Sequence, residues 1–482
     1  MAATYADFFR RSIDQKEAFW GEMAQVIHWH KPPRQVLDYS RPPFAKWYVG
    51  GETNLCYNCV DRHLATRGDQ PAAVWISTET GITRTLTYRE LHEQVQRYAA
   101  VLRDLGVGRG DRVIIYMPMI VESHVAMLAC VRLGAIHSVV FGGFAPHNLA
   151  QRIDDARPKV LMTADAGLRG RKAIPYKPLV DKAIADSKYP PQHVLYINRG
   201  LDPAMPLTAG RDLDLAPLAE KKAGVTVDPV WVESNEPSYI LYTSGTTGRP
   251  KGVQRDTGGH ATALTASMKY VYGANPGEAY FATSDIGWAV GHSYIIYGPL
   301  LAGMTSIGYE GTPITPDPAI WWKLVEQYQV RTMFSAPTAI RILRRQDPKF
   351  MRQHDVSCLR YLFLAGEPLD APSYQWVKEN LDKVVIDHYW QTESGWPMLA
   401  NCAGLGLHPI KPGSPTFPVY GYDLKVVEHG TGKVMPPGER GVLVCTPPLP
   451  PGALSTVWGD DQRFLDSYFG HFKDLLYYTG DY

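Results

Sequence analysis

The chain has 482 residues, with 49 basic side chains against 48 acidic ones and a formal charge of +1, so bulk charge does not hold it to nucleic acid or anionic lipid. Hydrophobic residues at 45 % and charged residues at 20 % lie near the globular average, and 43 Gly with 38 Pro fall below the level of low-complexity disorder. At roughly 150 residues per domain, the length suits about three folded units.

The first stretch, MAATYADFFRRSIDQKEAFWGEM, carries Asp7, Asp14 and Glu17 where a signal peptide needs an unbroken apolar run, and too many acids for a transit peptide. It reads as a helix of the mature protein. A Pro- and aromatic-rich loop from Lys31 to Tyr48 follows, and residues 1–60 are expected to form an extension that wraps the main body. Cys56 and Cys59 make a CxxC with His63 nearby, but no second ligand pair follows at finger spacing, so buried thiols are expected rather than a metal. Six cysteines over this length are too sparse for a disulfide scaffold and fit a reducing cytoplasm.

Thr87 to Glu90 reads T-x-x-E, a capping box. Leu91, Val95, Tyr98, Leu102 and Leu105 then recur on one helical face until Gly106 offers a stop. Arg112 to Met117 predicts a strand, Val121 to Leu133 a helix and Ser138 to Phe141 another strand, the order of a parallel sheet. This is the most apolar region, yet Glu122, His124, Arg132 and His137 interrupt it before it reaches the length of a membrane span. Similar alternation recurs at Val160–Thr163, Val194–Ile197, Tyr239–Tyr242, Thr332–Phe334, Tyr361–Leu364 and Val384–Ile386, so residues 61–412 are expected to form an α/β body of one or two wound sheets. After about Pro412 the chain is dense in Pro and Gly, and Leu424–Val427 and Val442–Cys445 predict strands with no long helix between them. Residues 413–482 are expected to form a small, mostly β subdomain.

Tyr242 to Gly252 reads YTSGTTGRPKG, placed after an apolar strand and ahead of a helix-like segment near Gly258. Its residue types suit phosphate. Gly245, Gly248 and Gly252 free the backbone, Thr243, Ser244, Thr246 and Thr247 bring hydroxyls, and Lys251 adds a mobile charge. A Walker A loop is excluded, because counting on from Gly245 the second glycine position is Pro250 and Gly252 stands where Ser or Thr holds magnesium. A generic loop of this kind also occurs as an ordinary connector.

Ten of these residues together, Thr243 to Gly252, however, match the [ST]-[SG]-G-[ST]-T-G-x-P-K-G signature, and the chain thereby resembles the adenylate-forming superfamily of acyl-CoA synthetases, luciferases and peptide-synthetase adenylation domains. Tyr389 to Ser394, YWQTES, is similar to the family's Y-x-x-T-E element, Gly366-Glu367-Pro368 to its adenine-cupping turn, and Tyr478 to Asp481 to its terminal TGD. The segments Trp47–Leu64, Val139–Pro146, Asp165–Pro175, Gly287–Leu300, Ser335–Arg341 and Asp387–Glu393 narrow the likeness to the short-chain group of acetyl- and propionyl-CoA synthetases.

The resemblance implies the large N-terminal domain of the adenylate-forming fold and a reaction in two halves: a carboxylate attacks the α-phosphorus of ATP, and the thiol of coenzyme A then displaces AMP. It implies catalytic roles for Lys251, Thr392 and Glu393, with Glu393 holding magnesium, and a nucleotide site drawn from Thr243 to Gly248, Lys251, Gly366, Glu367, Pro368, Asp387 to Thr392 (Asp387, His388, Tyr389, Trp390, Gln391, Thr392) and Asp481. Arg169, Gly170, Arg171 and Lys172, with Val290, are implied for coenzyme A; Lys172 stands where the family more often has Arg, which keeps the charge and loses the fork. Alone, these residues have plainer readings: Thr392 as a helix cap, Glu393 as a solvated acid, Arg169 to Lys172 as a solvated turn.

In acetate-using members the loop commonly reads GWVTGH and the residue before GEP is commonly Val, whereas this chain has Ala289, Val290 and Ala365 beside Trp390, the bulky floor of the acyl pocket. Room gained beside a retained floor implies propionate, with acetate used less well; core repacking is the competing explanation. The alternatives are an acetyl-CoA synthetase and a catalytically silent nucleotide-binding protein. A dinucleotide oxidoreductase would need a G-x-G-x-x-G after an early strand, which the sequence lacks. The expected partners are the small molecules propionate, ATP and coenzyme A, with no nucleic acid and no membrane, in the cytoplasm. Members of the resembling family continue past the TGD element into a mobile C-terminal domain, so residues 1–482 are expected to be the N-terminal portion of such an enzyme and to bind nucleotide but turn over poorly by themselves.

Overall fold

Neighbouring residues of one strand enter different cores here, which is what an alternating pleat buried on both faces must produce. Along Arg112–Met117, Val113, Ile115 and Met117 join the largest core, while Ile114 and Tyr116 pack the other way with Leu149 and Val180. Phe334 and Phe363 face that same largest core from a second sheet, and Met333 and Leu362 turn from it toward Trp322 and Val377. The result is two sheets sharing a central core, each carrying helices on its outer side: Pro146–Ala156 and Lys177–Asp186 on one, Ile320–Tyr328 and Ala371–Leu381 on the other. The structure is a computed structural model, and it describes residues 4–243, 249–472 and 475–482.

The first sheet runs Asp212–Asp214, His193–Ile197, Val160–Ala164, Arg112–Met117, Ile136–Phe141, Pro237–Thr243, Lys251–Asp256 and Thr456–Val457 in spatial order. The second runs Leu399–Ala400, Val384–Tyr389, Tyr361–Leu364, Val330–Ser335, Ala279–Ala282, Thr305–Glu310, Pro71–Ser77 and Thr83–Thr87, parallel except at its two edges. Between them lie Val121–Arg132 and Gly258–Tyr270, buried round almost their whole circumference; helices without a polar face belong inside. The capping box at Thr87 and Glu90 forms, starting the helix Tyr88–Asp104. No helix among the described residues is long and apolar enough to cross a membrane.

Three elements differ from the sequence expectation. Lys31 to Tyr48 is largely a hairpin, Gln35–Arg41 paired with Phe44–Val49, because its prolines sit before the first strand and at Pro42-Pro43 in the turn, where no ladder N–H is needed. Pro237–Thr243 and Lys251–Asp256 pair antiparallel, Thr243 opposite Lys251, and the helix Gly258–Tyr270 begins only after the returning strand. Near the C-terminus, Asp423–Val427, Val442–Thr446 and Tyr477–Tyr478 make a three-stranded antiparallel sheet, but the chain between them returns to the first sheet at Thr456–Val457 and forms the helix Asp461–Tyr468. The N-terminal helices Tyr5–Asp14 and Lys16–Met23 strap this end: the Tyr5 hydroxyl donates to the Pro418 carbonyl at 2.6 Å, and the Gly421 N–H donates to Ser12 Oγ at 2.7 Å. Cys56 and Cys59 are fully buried, and burial pushes the Cys56 thiol up to about 12.

Candidate active site

The parallel strands Ala279–Ala282, Val330–Ser335, Tyr361–Leu364 and Val384–Tyr389 end together, and the crevice beyond such carboxyl ends is where open α/β sheets take ligands. A cavity of about 450 Å³ lies there. Its walls include Ala289, Val290, Ala365 and Trp390, the whole set anticipated for the acyl pocket, together with Thr283, Ser335 and Thr392. Trp390 is held edge-on by Tyr294 with ring centroids 5.5 Å apart and leans on Phe334 at 6.2 Å. Tyr294 belongs to His292–Tyr297, a widened helical turn of the kind that recurs at functional sites.

A second cavity, of about 540 Å³, shares Gly366, Trp390 and Gln391 with the first. It gathers Glu367, Pro368, Asp387, His388, Tyr389 and Asp481 from four separate stretches of sequence. Gly366 bends into it with φ +102°, a value that favours glycine. Glu367 is paired with Arg341 and the Thr338 hydroxyl; against its partial burial, these partners hold its carboxyl below the ordinary range. Asp481 accepts from the Tyr389 hydroxyl and, at 2.7 Å, from Gln391 Nε2. Burial pushes the Asp387 carboxyl up to about 6. The His388 ring is turned inward, Nδ1 2.7 Å from the Leu364 carbonyl and Nε2 3.1 Å from the Tyr272 hydroxyl, so this residue offers the cavity its main chain rather than its imidazole.

The third part of the site joins the strand Lys251–Asp256 to the Thr392–Glu393 turn. Lys251, at the head of the returning strand, places its ammonium 4.4 Å from the centre of the Tyr468 ring, and burial lowers its pKa while the nearby Glu393 opposes that shift. The Tyr468 hydroxyl donates to Glu393 Oε1 at 2.6 Å. Arg255, fully buried two turns of the pleat beyond Lys251, donates to the carbonyls of Thr392, Glu393 (3.0 Å) and Gly452 (2.7 Å) and to the Tyr239 hydroxyl (3.1 Å). Gly395 makes this possible, since a Cβ there would stand 2.7 Å from the Arg255 guanidinium carbon. Thr243 opens the loop; Ser244, Gly245, Thr246, Thr247 and Gly248 lie outside the described residues. With Oε1 of Glu393 taken by Tyr468, its other oxygen and the Thr392 hydroxyl form an oxygen donor set that fits magnesium.

The coenzyme A candidates separate. Ala166–Arg169 and Lys172–Pro175 form a short ribbon whose turn, Gly170-Arg171, has φ of +58° and +66°. Arg169 lines a cavity of about 900 Å³ that shares Thr283, Ser284 and Trp288 with the first cavity. Gly170, Arg171 and Lys172 are exposed at the ribbon tip and do not line that cavity, and Val290 lines the first cavity instead.

The model of AMP-binding enzymes matches residues 60–449, and that of the acetyl-coenzyme A synthetase N-terminus matches residues 5–59. The chain belongs to the AMP-binding enzyme family. It is 53 % identical over 479 residues to a propionate–CoA ligase of Escherichia coli, covering 99 % of this chain and 76 % of that protein, and equally similar to one from Salmonella typhimurium. It is 43 % identical over 473 residues to the human mitochondrial acyl-CoA synthetase short-chain family member 3, covering 97 % of this chain and 68 % of that one. The two wound sheets and their flanking helices are the adenylate-forming architecture.

Arg255, Tyr468, Tyr294 and Phe334 escaped the sequence reading. For Arg255 a signal was present: it shares strand parity with the buried Val253, so a cation on that face had to find internal partners. For Tyr468 no local signal exists, because 75 residues separate it from Glu393.

Proposed function

We propose that this enzyme activates propionate with ATP through a propionyl-adenylate and passes the acyl group to coenzyme A, releasing AMP and pyrophosphate. The observation that carries the reading is the shared wall: the residues expected to hold an acid and those expected to hold a nucleotide line two cavities that meet at Gly366, Trp390 and Gln391. A carboxylate in the first would face the α-phosphate of a nucleotide in the second. The similarity to two proteins called propionate–CoA ligases supports the choice of acid.

A carboxylate is already a nucleophile at neutral pH, so adenylation needs placement and charge neutralisation rather than a base. Gly366 to Pro368 and Tyr389 flank the nucleoside, and Asp481, oriented by Tyr389 and Gln391, presents an acceptor to ribose hydroxyls. Lys251 and the Thr392 hydroxyl meet the phosphates, Lys251 keeping its charge through Glu393 despite partial burial. Magnesium, when held by Glu393 and Thr392, supplies countercharge to the leaving pyrophosphate. Arg255 fixes the Thr392–Glu393 main chain so that these groups keep their spacing. Coenzyme A reaches the acyl cavity through the larger cavity, with Arg169 at its rim for the nucleotide phosphates.

The acid is chosen by the space between Ala289, Val290, Ala365 and Trp390. One methylene in an apolar pocket changes discrimination by about 1–3 kcal/mol, or roughly 10–200-fold. Specificity constants for acetate, propionate and butyrate test this on the full-length protein: propionate is expected to lead, and acetate leading clearly would reject the assignment.

A further inference from the structure

Thioester formation makes a demand that adenylation does not. Coenzyme A arrives as a thiol, whereas the nucleophile is the thiolate, and an alkyl thiol, no stronger an acid than cysteine, is at most a few per cent ionised at neutral pH. A proton acceptor is needed where the sulfur meets the acyl group.

Asp285 lies at that seam. It directly follows Thr283 and Ser284 and comes three residues before Trp288, and these three line both the acyl cavity and the cavity of about 900 Å³, while Asp285 itself is part of the larger cavity's wall. Its position is set by the main chain: Oδ1 accepts the Gly287 N–H at 2.7 Å, and Oδ2 has no donor among the described residues. Gly287 is wedged so tightly that a Cβ there would stand 2.7 Å from Phe141 Cα, and the Ile286 N–H meets Met119 Sδ at 3.2 Å. The main chain that carries the carboxylate is therefore fixed by packing, and the Gly287 N–H holds one of its oxygens. The other ionisable side chains in the wall of this cavity are Tyr176 at the head of the helix Lys177–Asp186, Arg169, and Glu310. Glu310 is already committed, since both its oxygens accept from the Arg199 guanidinium, at 3.0 and 2.7 Å. Among the described residues lining this cavity, Asp285 is the carboxylate left to receive a proton. Burial raises its pKa to about 6, suited to a base working near neutrality.

We propose that Asp285 is the base that takes the thiol proton of coenzyme A as the sulfur attacks the acyl-adenylate. This rests on the function proposed above. The S–H bond breaks and its proton passes to the Asp285 carboxylate; the S–C bond forms at the acyl carbonyl carbon; the bond from that carbon to the phosphate oxygen breaks, and AMP leaves with the electron pair. Asp285 then returns its proton to solvent through the open cavity.

The two halves of the reaction separate the possibilities. Asp285→Asn keeps an oxygen for the Gly287 N–H and loses the base. Acid-dependent exchange of pyrophosphate into ATP is expected to stay within about threefold of the parent, while thioester formation from preformed acyl-adenylate falls about 10²–10⁴-fold at pH 7. In the parent the thioester rate rises with pH through about 6 and levels off; in Asp285→Asn that limb vanishes and the rate keeps climbing above pH 8 toward the thiol's own titration. Asp285→Glu restores part of the rate and the lower limb. Equal loss of both halves in Asp285→Asn, normal thioester formation in that variant, or a parent profile flat from pH 5 to 8 each overturns the assignment. A parent enzyme with no exchange dependent on propionate or acetate overturns the proposed function instead.

Discussion

Replacing Arg255 by Met tests whether the strand Lys251–Asp256 and the Thr392–Glu393 turn act as one unit. The guanidinium is fully buried and makes four hydrogen bonds, to three main-chain carbonyls and the Tyr239 hydroxyl, with no carboxylate partner among the described residues. Met fills similar volume but leaves all four acceptors facing apolar surface. An orphaned buried polar group costs about 1–3 kcal/mol, so with four acceptors orphaned and some relaxation a loss of about 3–5 kcal/mol is expected. That is a large part of the roughly 5–15 kcal/mol that holds a typical domain together. Urea titration followed by intrinsic Trp fluorescence reads the loss as a lowered midpoint at constant slope. Because Thr392 and Glu393 lose their anchor, the KM for magnesium–ATP is expected to rise more than the KM for the acid. Arg255→Lys, with one ammonium in place of a fork, should fall between. A Met variant within about 1 kcal/mol of the parent and with unchanged nucleotide KM would refute the reasoning.

Three further outcomes follow from the same geometry. Ala365→Val narrows the cavity beside Trp390 and should move the acetate-to-propionate ratio of kcat/KM toward acetate by roughly 10–200-fold, an unchanged ratio placing acid selection elsewhere. Tyr468→Phe removes the donor to Glu393 Oε1 and should raise the half-saturating magnesium concentration in pyrophosphate exchange about tenfold, with the acid KM unmoved. Burial raises the Asp256 carboxyl from 3.8 to about 7, against donors from His260 and Gly259, so the folded state retains a proton that the unfolded chain has released. The stability due to neutral Asp256 is full below about pH 4 and declines as pH rises toward 7; Asp256→Asn should flatten that decline in a series of Tm measurements, and parallel curves would count against it.

Contiguous signals in this chain were legible because their causes are local. The capping box at Thr87, the alternation of Arg112–Met117, the bend at Gly366 and the motif YWQTES each depend on a few neighbouring residues and their dihedral needs, and the resemblance they carry led to the family. Even so, proline density suggested a loop over Lys31–Tyr48 where the prolines only border strands, and loop composition ahead of Gly258 suggested a strand-to-helix turn where a second strand intervenes.

What the sequence determined by itself was therefore the kind of chemistry and the residues written in one run. Only the tertiary structure decided which runs meet. It brought Ala289, Ala365 and Trp390 to one cavity, set Tyr468 against Glu393, seated Arg255 beneath the turn and put Asp285 in the wall of the cavity next to it. These contacts arise from how two sheets pack over a common core. Side-chain type and spacing along the chain cannot specify an approach between residues 75 or 138 positions apart until that packing sets the distance.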